Sequence, residues 1–335
     1  MKSKSKVLVT GADGFIGSHL VEALVRLGYD VKAFTLYNSM NSWGCLEYCH
    51  SDVKASIEVI SGNIMDKSLV LNSVENCDYV LHLAALISVP YSFQSPSSFV
   101  DTNVIGTLNV LEACKLHNVR RLCHTSTSEV YGTAKYVPIN EEHNLYAQSP
   151  YAASKIGADQ LVNSFYNSYK LPAVIIRPFN TYGPRQSQRA LIPAAINQLI
   201  SRQGKVKLGS LTPTRDFSYI EDTVSGILKI MESNEGVGEV YNLGTNFEIS
   251  IKDTIRLIAE IINTDVVIEI EKERIRPEFA EVSRLCSDNT KIINQFGWKP
   301  EYVGKVGLKR GITKTVEWFL DKNNTKNYKS NIYNI

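Results

Sequence analysis

Short runs of aliphatic and β-branched residues recur through the first half of the chain, each followed by apolar positions at helical spacing. Residues 6–10 (KVLVT) read as a strand that leads into a helix over about 16–27. Further strands are predicted at 30–36, 57–61, 79–84, 121–126 and 173–177, with helices at 103–117 and 151–169 between them. Strand and helix in alternation predict a parallel sheet covered by helices on both faces. Beyond Pro178 the rhythm loosens, and glycine and proline at 183–184, 204 and 209–210 mark loops around a helix at about 191–202. Residues 220–232 and 239–243 read as a return to the sheet. The expected division is 1–178 with 219–246 as a sheet domain, 179–218 with 247–322 as a smaller lobe holding a helix at about 251–262, and 323–335 as a polar tail.

Composition narrows the class without naming a function. The 335 residues are 44% hydrophobic and 21% charged with a net charge of +2, which is ordinary for a globular protein and lacks the basic stripe that nucleic-acid binding needs. The longest apolar run, 80–89, contains His82 and is about half of what spans a bilayer. Residues 1–6 (MKSKSK) lead straight into the first strand without an apolar signal core. A cytoplasmic protein with neither a nucleic-acid nor a membrane partner is expected. Six cysteines (45, 49, 77, 114, 123, 286) show no paired CxxC spacing, and no second cluster completes a metal site around Cys45, Cys49 and His50, so no metal is expected.

Residues 7–17 (VLVTGADGFIG) form a strand, a glycine turn and a helix start. Gly11 permits the tight turn, Gly14 lets a pyrophosphate approach the backbone, Gly17 allows close helix–strand packing, and the helix N-terminus supplies amides for phosphates. This predicts a nicotinamide dinucleotide. At the end of the second strand an acid would hold a ribose hydroxyl and an arginine a 2′-phosphate. The chain offers neither: Thr35 or Leu36 takes the deciding position and Asn38 and Ser39 suit either form, so NAD and NADP both stay open.

Tyr151 and Lys155 lie four apart, hence on one helix face. An ammonium beside a phenol favours its anion and makes Tyr151 a candidate general base. Oxidising an alcohol needs one base for the hydroxyl proton. Glu129, in Thr127-Ser128-Glu129, would be a second, which implies a proton taken from carbon. His82 and His124 read as packed strand residues.

Taken together, GADGFIGSHL at 11–20, LHLAAL at 81–86, NVIGT at 103–107, STSEVYG at 126–132, YAASK at 151–155, RPFNTYGPR at 177–185 and TRDF at 214–217 resemble the extended short-chain dehydrogenase/reductase family over about 6–320. Within it the chain looks most like nucleotide-sugar 4,6-dehydratases. The Thr-Ser-Glu order is similar to GDP-mannose 4,6-dehydratase, and YNSMNSWG with KLGSLTPTRDF looks closer still to the legionaminic-acid branch, which acts on nucleotide-activated N-acetylglucosamine. Ser128 stands where dTDP-glucose dehydratases carry an acid, and UDP-glucuronate decarboxylases share the triplet, so decarboxylation stays open, as does 4-epimerisation.

The resemblance implies an α/β, Rossmann-type doubly wound parallel sheet with a smaller, integrated α/β substrate-binding lobe. It implies a tightly bound NAD(P) on Gly11, Gly14, Phe15, Ile16, Gly17, Thr35, Asn38, Ser39, Asn63, Ile64, Leu83, Ala84, Ala85, Asn103, Thr125, Tyr151 and Lys155. Catalysis would fall to Thr127, Ser128, Glu129, Tyr151 and Lys155. The nucleotide sugar would meet Ser88, Asn180, Arg185, Arg189, Leu191, Lys207, Arg215 and Arg276, the guanidinium groups gripping its diphosphate. It also implies a homodimer through a four-helix bundle of the helices at 103–117 and 151–169, for which Val104, Leu108, Leu111 and Leu116 supply extra apolar surface.

Overall fold

The computed structural model describes residues 5–201, 204–275, 277–326 and 328. Six strands open the chain: β1 (Lys6–Thr10), β2 (Asp30–Leu36), β3 (Ile57–Gly62), β4 (Tyr79–His82), β5 (Arg121–Thr125) and β6 (Ala173–Pro178). Six more follow: β7 (Asn180–Tyr182), β8 (Lys205–Leu208), β9 (Thr214–Tyr219), β10 (Val240–Leu243), β11 (Glu248–Ser250) and β12 (Val267–Ile270). Seven of them form one parallel sheet in the order β3-β2-β1-β4-β5-β6-β10. The chain thus returns to this sheet at β10 after building β7 to β9 elsewhere.

Alternate strand positions face opposite layers, as the two-residue period of a strand requires. Val7, Val9, Val31, Leu81 and Ile176 pack with Leu20 and Leu24 of the helix Phe15–Arg26 and Ile227 of the helix Ile220–Glu232. Leu8, Val80, Leu122 and Ile175 pack on the other side with Val110 and Leu111 of the helix Gly106–Leu116 and Val162 of the helix Pro150–Tyr169. Leu111 therefore belongs to the core and not to an outward stripe, which corrects its expected place in a helix-bundle surface. Burial on both faces explains why the strands read as continuous apolar runs.

Between β1 and β4 the strand order reverses direction, and in doubly wound sheets ligands bind outside the carboxyl ends of the strands at that switch point. A three-stranded sheet (β11-β9-β7) and a parallel pair (β12-β8) lie apart from the large sheet. Among the described residues no helix is long and apolar enough to cross a membrane, and no group of three or more His, Cys, Asp and Glu side chains gathers as a metal site.

Candidate active site at the carboxyl edge of the sheet

The glycine turn follows β1. Gly11 adopts φ +69°, and a Cβ there would meet the Ala84 nitrogen at 2.8 Å. A Cβ on Gly17 would lie 2.1 Å from the Gly11 carbonyl oxygen, so helix and turn touch backbone to backbone. Gly14 caps the helix without a side-chain bond, and no acid stands in its first turn. The amides at Phe15 and Ile16 thus sit at a helix terminus whose partial positive charge suits a phosphate. By donor set and by space the turn fits a dinucleotide.

Leu83 and Ala84 donate their amides to Thr10 Oγ1 (both 3.2 Å), which ends β4 at His82 and not at the expected Ala84. Thr10 in turn bonds His82 Nδ1 at 2.8 Å, and His82 Nε2 lies 3.0 Å from Thr107 Oγ1, which donates to the Asn103 carbonyl. That chain is consistent with a neutral His82 donating from Nε2, and burial holds its pKa well below the usual value. Asn103 accepts from the Leu86 amide (2.8 Å) and donates to the Leu86 carbonyl and to Ser154 Oγ. Its amide group fixes the 83–88 loop against the helix Pro150–Tyr169. Sequence reading missed Thr10 and Asp13 in these roles. Asp13, the acid within the glycine motif, accepts from the Leu36 amide (3.3 Å), and its carbonyl accepts from Cys45 (2.8 Å), so it joins the turn to the segment after β2.

Thr35 needs correction as a ribose contact. Its side chain is fully buried and bonds Ser61 Oγ at 3.1 Å, leaving exposed Leu36 at the strand end. Asn38 spans its own loop, donating to the Leu36 and Ser42 carbonyls and accepting from the Ser42 amide, with Ser39 exposed beside it. Asn63 is exposed and accepts from Met65, while Ile64 is buried beneath it. Ala85 is half-buried.

Thr127 caps a short 3₁₀ turn, Ser128–Tyr131, by accepting from the Glu129 amide at 3.2 Å. The side chain of the same threonine acts on the Tyr151 phenol, favouring its anion. Thr127, Ser128, Glu129 and Tyr151 are therefore brought together, with Ser128 buried and Glu129 half-buried. Tyr151 packs against Val89 and edge-on against Phe99 (6.2 Å). Burial first, then the negative charges of Glu129 and Asp159, push its phenol above the ordinary 10. The expected lowering by Lys155 is not seen, because the ammonium is turned elsewhere: Lys155 Nζ donates to the Thr125 carbonyl at 2.7 Å. Burial lowers Lys155 to about 8, opposed by Asp159. Thr125 Oγ1 is buried and has no hydrogen-bond partner among the described residues.

Of the residues expected to meet a nucleotide sugar, one arginine is engaged elsewhere. Arg185 is an internal clamp: it pairs with Glu22 at 2.7 Å and reaches Cys49 Sγ at 3.5 Å, while His19 bonds the neighbouring Pro184 carbonyl. A buried guanidinium committed to a helix carboxylate does not grip a diphosphate. Arg215 lies on β9, buried, with Glu281 at 3.4 Å. Lys207 pairs with Glu271 at 3.0 Å, and Arg189 is exposed beside Ser187. Leu191 opens the helix Leu191–Ser201, Ser88 caps the helix Val89–Gln94, and Asn180 holds a buried Oδ1 without a partner among the described residues. Arg276 lies outside the described residues.

The model of the GDP-mannose 4,6 dehydratase family matches residues 8–311. The chain belongs to that family. It is 34% identical to the human dTDP-D-glucose 4,6-dehydratase over 338 aligned positions, 97% of this chain and 92% of the relative. Among solved structures, a double mutant of the dTDP-glucose 4,6-dehydratase from Streptomyces venezuelae with NAD bound superposes with a TM-score of 0.84 at 28% identity, covering 95% of this chain and 97% of that one. A UDP-N-acetylglucosamine 4-epimerase from Methanobrevibacter ruminantium M1 gives the same TM-score at 29% identity, covering 95% and 99%. A dehydratase and an epimerase thus share this chain's fold to the same degree.

Proposed function

We propose that the protein is a nucleotide-sugar 4,6-dehydratase that turns an NDP-hexose, GDP- or UDP-N-acetylglucosamine, into the 4-keto-6-deoxy sugar. The observation that carries this reading is Glu129, set by the Thr127 cap so close to Tyr151 that its charge acts on the phenol. Two bases at one site suit a reaction that removes one proton from oxygen and another from carbon. Support for a nucleotide-sugar substrate and a nicotinamide cofactor comes from the relatives, one of which was solved with NAD.

The residues that would hold the dinucleotide are the amides after Gly14, the 83–85 loop and Lys155. When bound, the nicotinamide supplies a hydride acceptor at sugar carbon 4 and a hydride donor at carbon 6. Tyr151 takes the proton of the carbon 4 hydroxyl, and Thr127 aligns that oxygen. The carbon 4 ketone acidifies the hydrogen on carbon 5, which Glu129 removes as the carbon 6 hydroxyl leaves as water. Ser128 carries no proton of suitable acidity, so Glu129 gives the proton it took to the leaving hydroxyl, and the hydrogen that carbon 5 regains when carbon 6 is reduced comes from solvent. Arg215 and Arg276, with Asn180, Arg189, Ser88, Leu191 and Lys207, are the residues proposed to receive the nucleotide sugar. NAD and NADP remain alternatives, since neither an acid nor an arginine stands at 35–39. A nucleotide-sugar 4-epimerase is the second reading, favoured by the equally similar epimerase structure; a UDP-glucuronate-type decarboxylase is the third.

Incubation with UDP-, GDP- and dTDP-sugars followed by mass analysis separates these readings. Loss of one water is expected; loss of carbon dioxide, or an unchanged mass with inverted carbon 4, would replace the dehydratase reading. We also propose a homodimer through the helices at 103–117 and 151–169, supported by the exposure of Ile105 and Leu116 along the first of them. Light scattering at micromolar concentration is expected to give twice the chain mass, and a monomer mass would defeat this assembly.

A further inference from the structure

Beneath the catalytic turn lies a polar network that the chemistry above does not use. Asp159 is fully buried on the helix Pro150–Tyr169, one turn beyond Lys155 and two beyond Tyr151, so the three form one stripe. Its Oδ2 accepts from Ser126 Oγ (2.9 Å) and from Arg177 Nη2 (3.0 Å) and Nε (3.3 Å), while Oδ1 lies 3.5 Å from His124 Nε2. Arg177, buried on β6, donates from Nη1 to the Tyr131 hydroxyl at 3.0 Å. Tyr131 ends the 3₁₀ turn that carries Glu129, and its hydroxyl donates to Asn242 Oδ1 at 2.7 Å.

We propose that Asp159 is a positioning residue for both bases: it anchors the helix that bears Tyr151 and Lys155, and through Ser126, Arg177 and Tyr131 it holds the turn bearing Thr127, Ser128 and Glu129. The proposal rests on the reading that Tyr151 and Lys155 carry the proton transfer at carbon 4. The ionisable groups around Lys155 are Tyr151 and Asp159 on its own helix, His82 from β4 and His124 from β5, with Arg177 of β6 paired to Asp159 and Glu129 of the turn after β5 acting on Tyr151. Of these, Asp159 is the one whose charge raises Lys155. The same charge raises Tyr151. Neutralising Asp159 therefore lowers both groups, and a bell-shaped rate profile bounded by them moves to lower pH on both limbs.

Asp159→Asn strands a buried guanidinium and can unfold the chain, so the informative partner is Asp159→Asn/Arg177→Gln, which leaves no unpaired charge. Oxidation at carbon 4 begins all three readings, so transient reduction of the dinucleotide is followed against pH, with thermal unfolding and dinucleotide affinity measured on the same samples. The expected result is a folded double variant whose two limbs both lie below those of the wild type, and whose dinucleotide affinity weakens on the alkaline side earlier than the wild type's. Tyr131→Phe, which changes no charge, is expected to slow the reaction with both limbs in place. Limbs unmoved in the double variant, with the rate reduced by one factor at all pH values, would overturn the proposal and leave Asp159–Arg177 a structural pair. A product other than the 4-keto-6-deoxy sugar would sink the dehydratase reading and leave this comparison intact.

Discussion

A Glu129→Gln variant is expected to reduce its dinucleotide in the presence of substrate and to release almost no dehydrated sugar. The amide keeps the shape of the carboxylate and its place in the turn capped by Thr127, but it cannot take a proton. Oxidation at carbon 4 belongs to Tyr151 and should proceed; removal of the carbon 5 proton should not. A general base is worth about 10²–10⁴-fold, so product formation should fall by that factor while absorbance of the reduced nicotinamide builds up. The variant also removes a negative charge that raises the Tyr151 phenol, so the first step should not be slowed. Product at near wild-type rate would mean that Glu129 is not the carbon 5 base, and the dehydratase reading would lose its main support.

Tyr151→Phe should fail earlier. With no base for the carbon 4 hydroxyl, reduction of the dinucleotide itself is expected to fall by at least about 10²-fold. The fold should persist, because the ring keeps its edge contact with Phe99 and its packing against Val89. Stopped-flow absorbance on the two variants therefore separates the two bases: one accumulates reduced cofactor and the other forms none. If Tyr151→Phe reduced its cofactor at the wild-type rate, the initial proton would have to go to another group.

Much of this arrangement is legible in the chain because its signals are local. The alternation of strand and helix, the glycines at 11, 14 and 17, and the Tyr151–Lys155 spacing each lie within one or two turns of backbone, where period and propensity act directly. The helix Ile251–Ile262 has the predicted bounds, its apolar stripe and Ser250 cap both being in the sequence. The helix Gly304–Leu320 was missed. It carries glycines at 304, 307 and 311 that lower helix propensity, and a Cβ at Gly307 would press on the Tyr302 backbone at 2.2 Å. Close packing, which spacing does not reveal, accounts for that residue.

The misplaced site residues share a cause. Arg185 meets Glu22 across 163 positions, and Arg177 meets Asp159 across 18, so no local pattern announces either pair. Thr35 stands near a strand end, where a ribose contact is expected, yet its side chain turns to Ser61 on β3 and exposed Leu36 ends the strand. Lys155 was expected to face the phenol because helix spacing puts the two on one stripe. Its long side chain instead reaches the Thr125 carbonyl at the end of β5. Helix geometry fixes where a side chain starts, and the neighbouring strand decides where its charge ends.

The path of one hydrogen tests the central claim most directly. Substrate deuterated at carbon 4 is to be turned over in ordinary water and the product examined by NMR and mass spectrometry. An internal cycle predicts deuterium on the carbon 6 methyl group of the same molecule and a solvent hydrogen at carbon 5. Deuterium retained at carbon 4 of an inverted sugar, or lost to free dinucleotide, would contradict it.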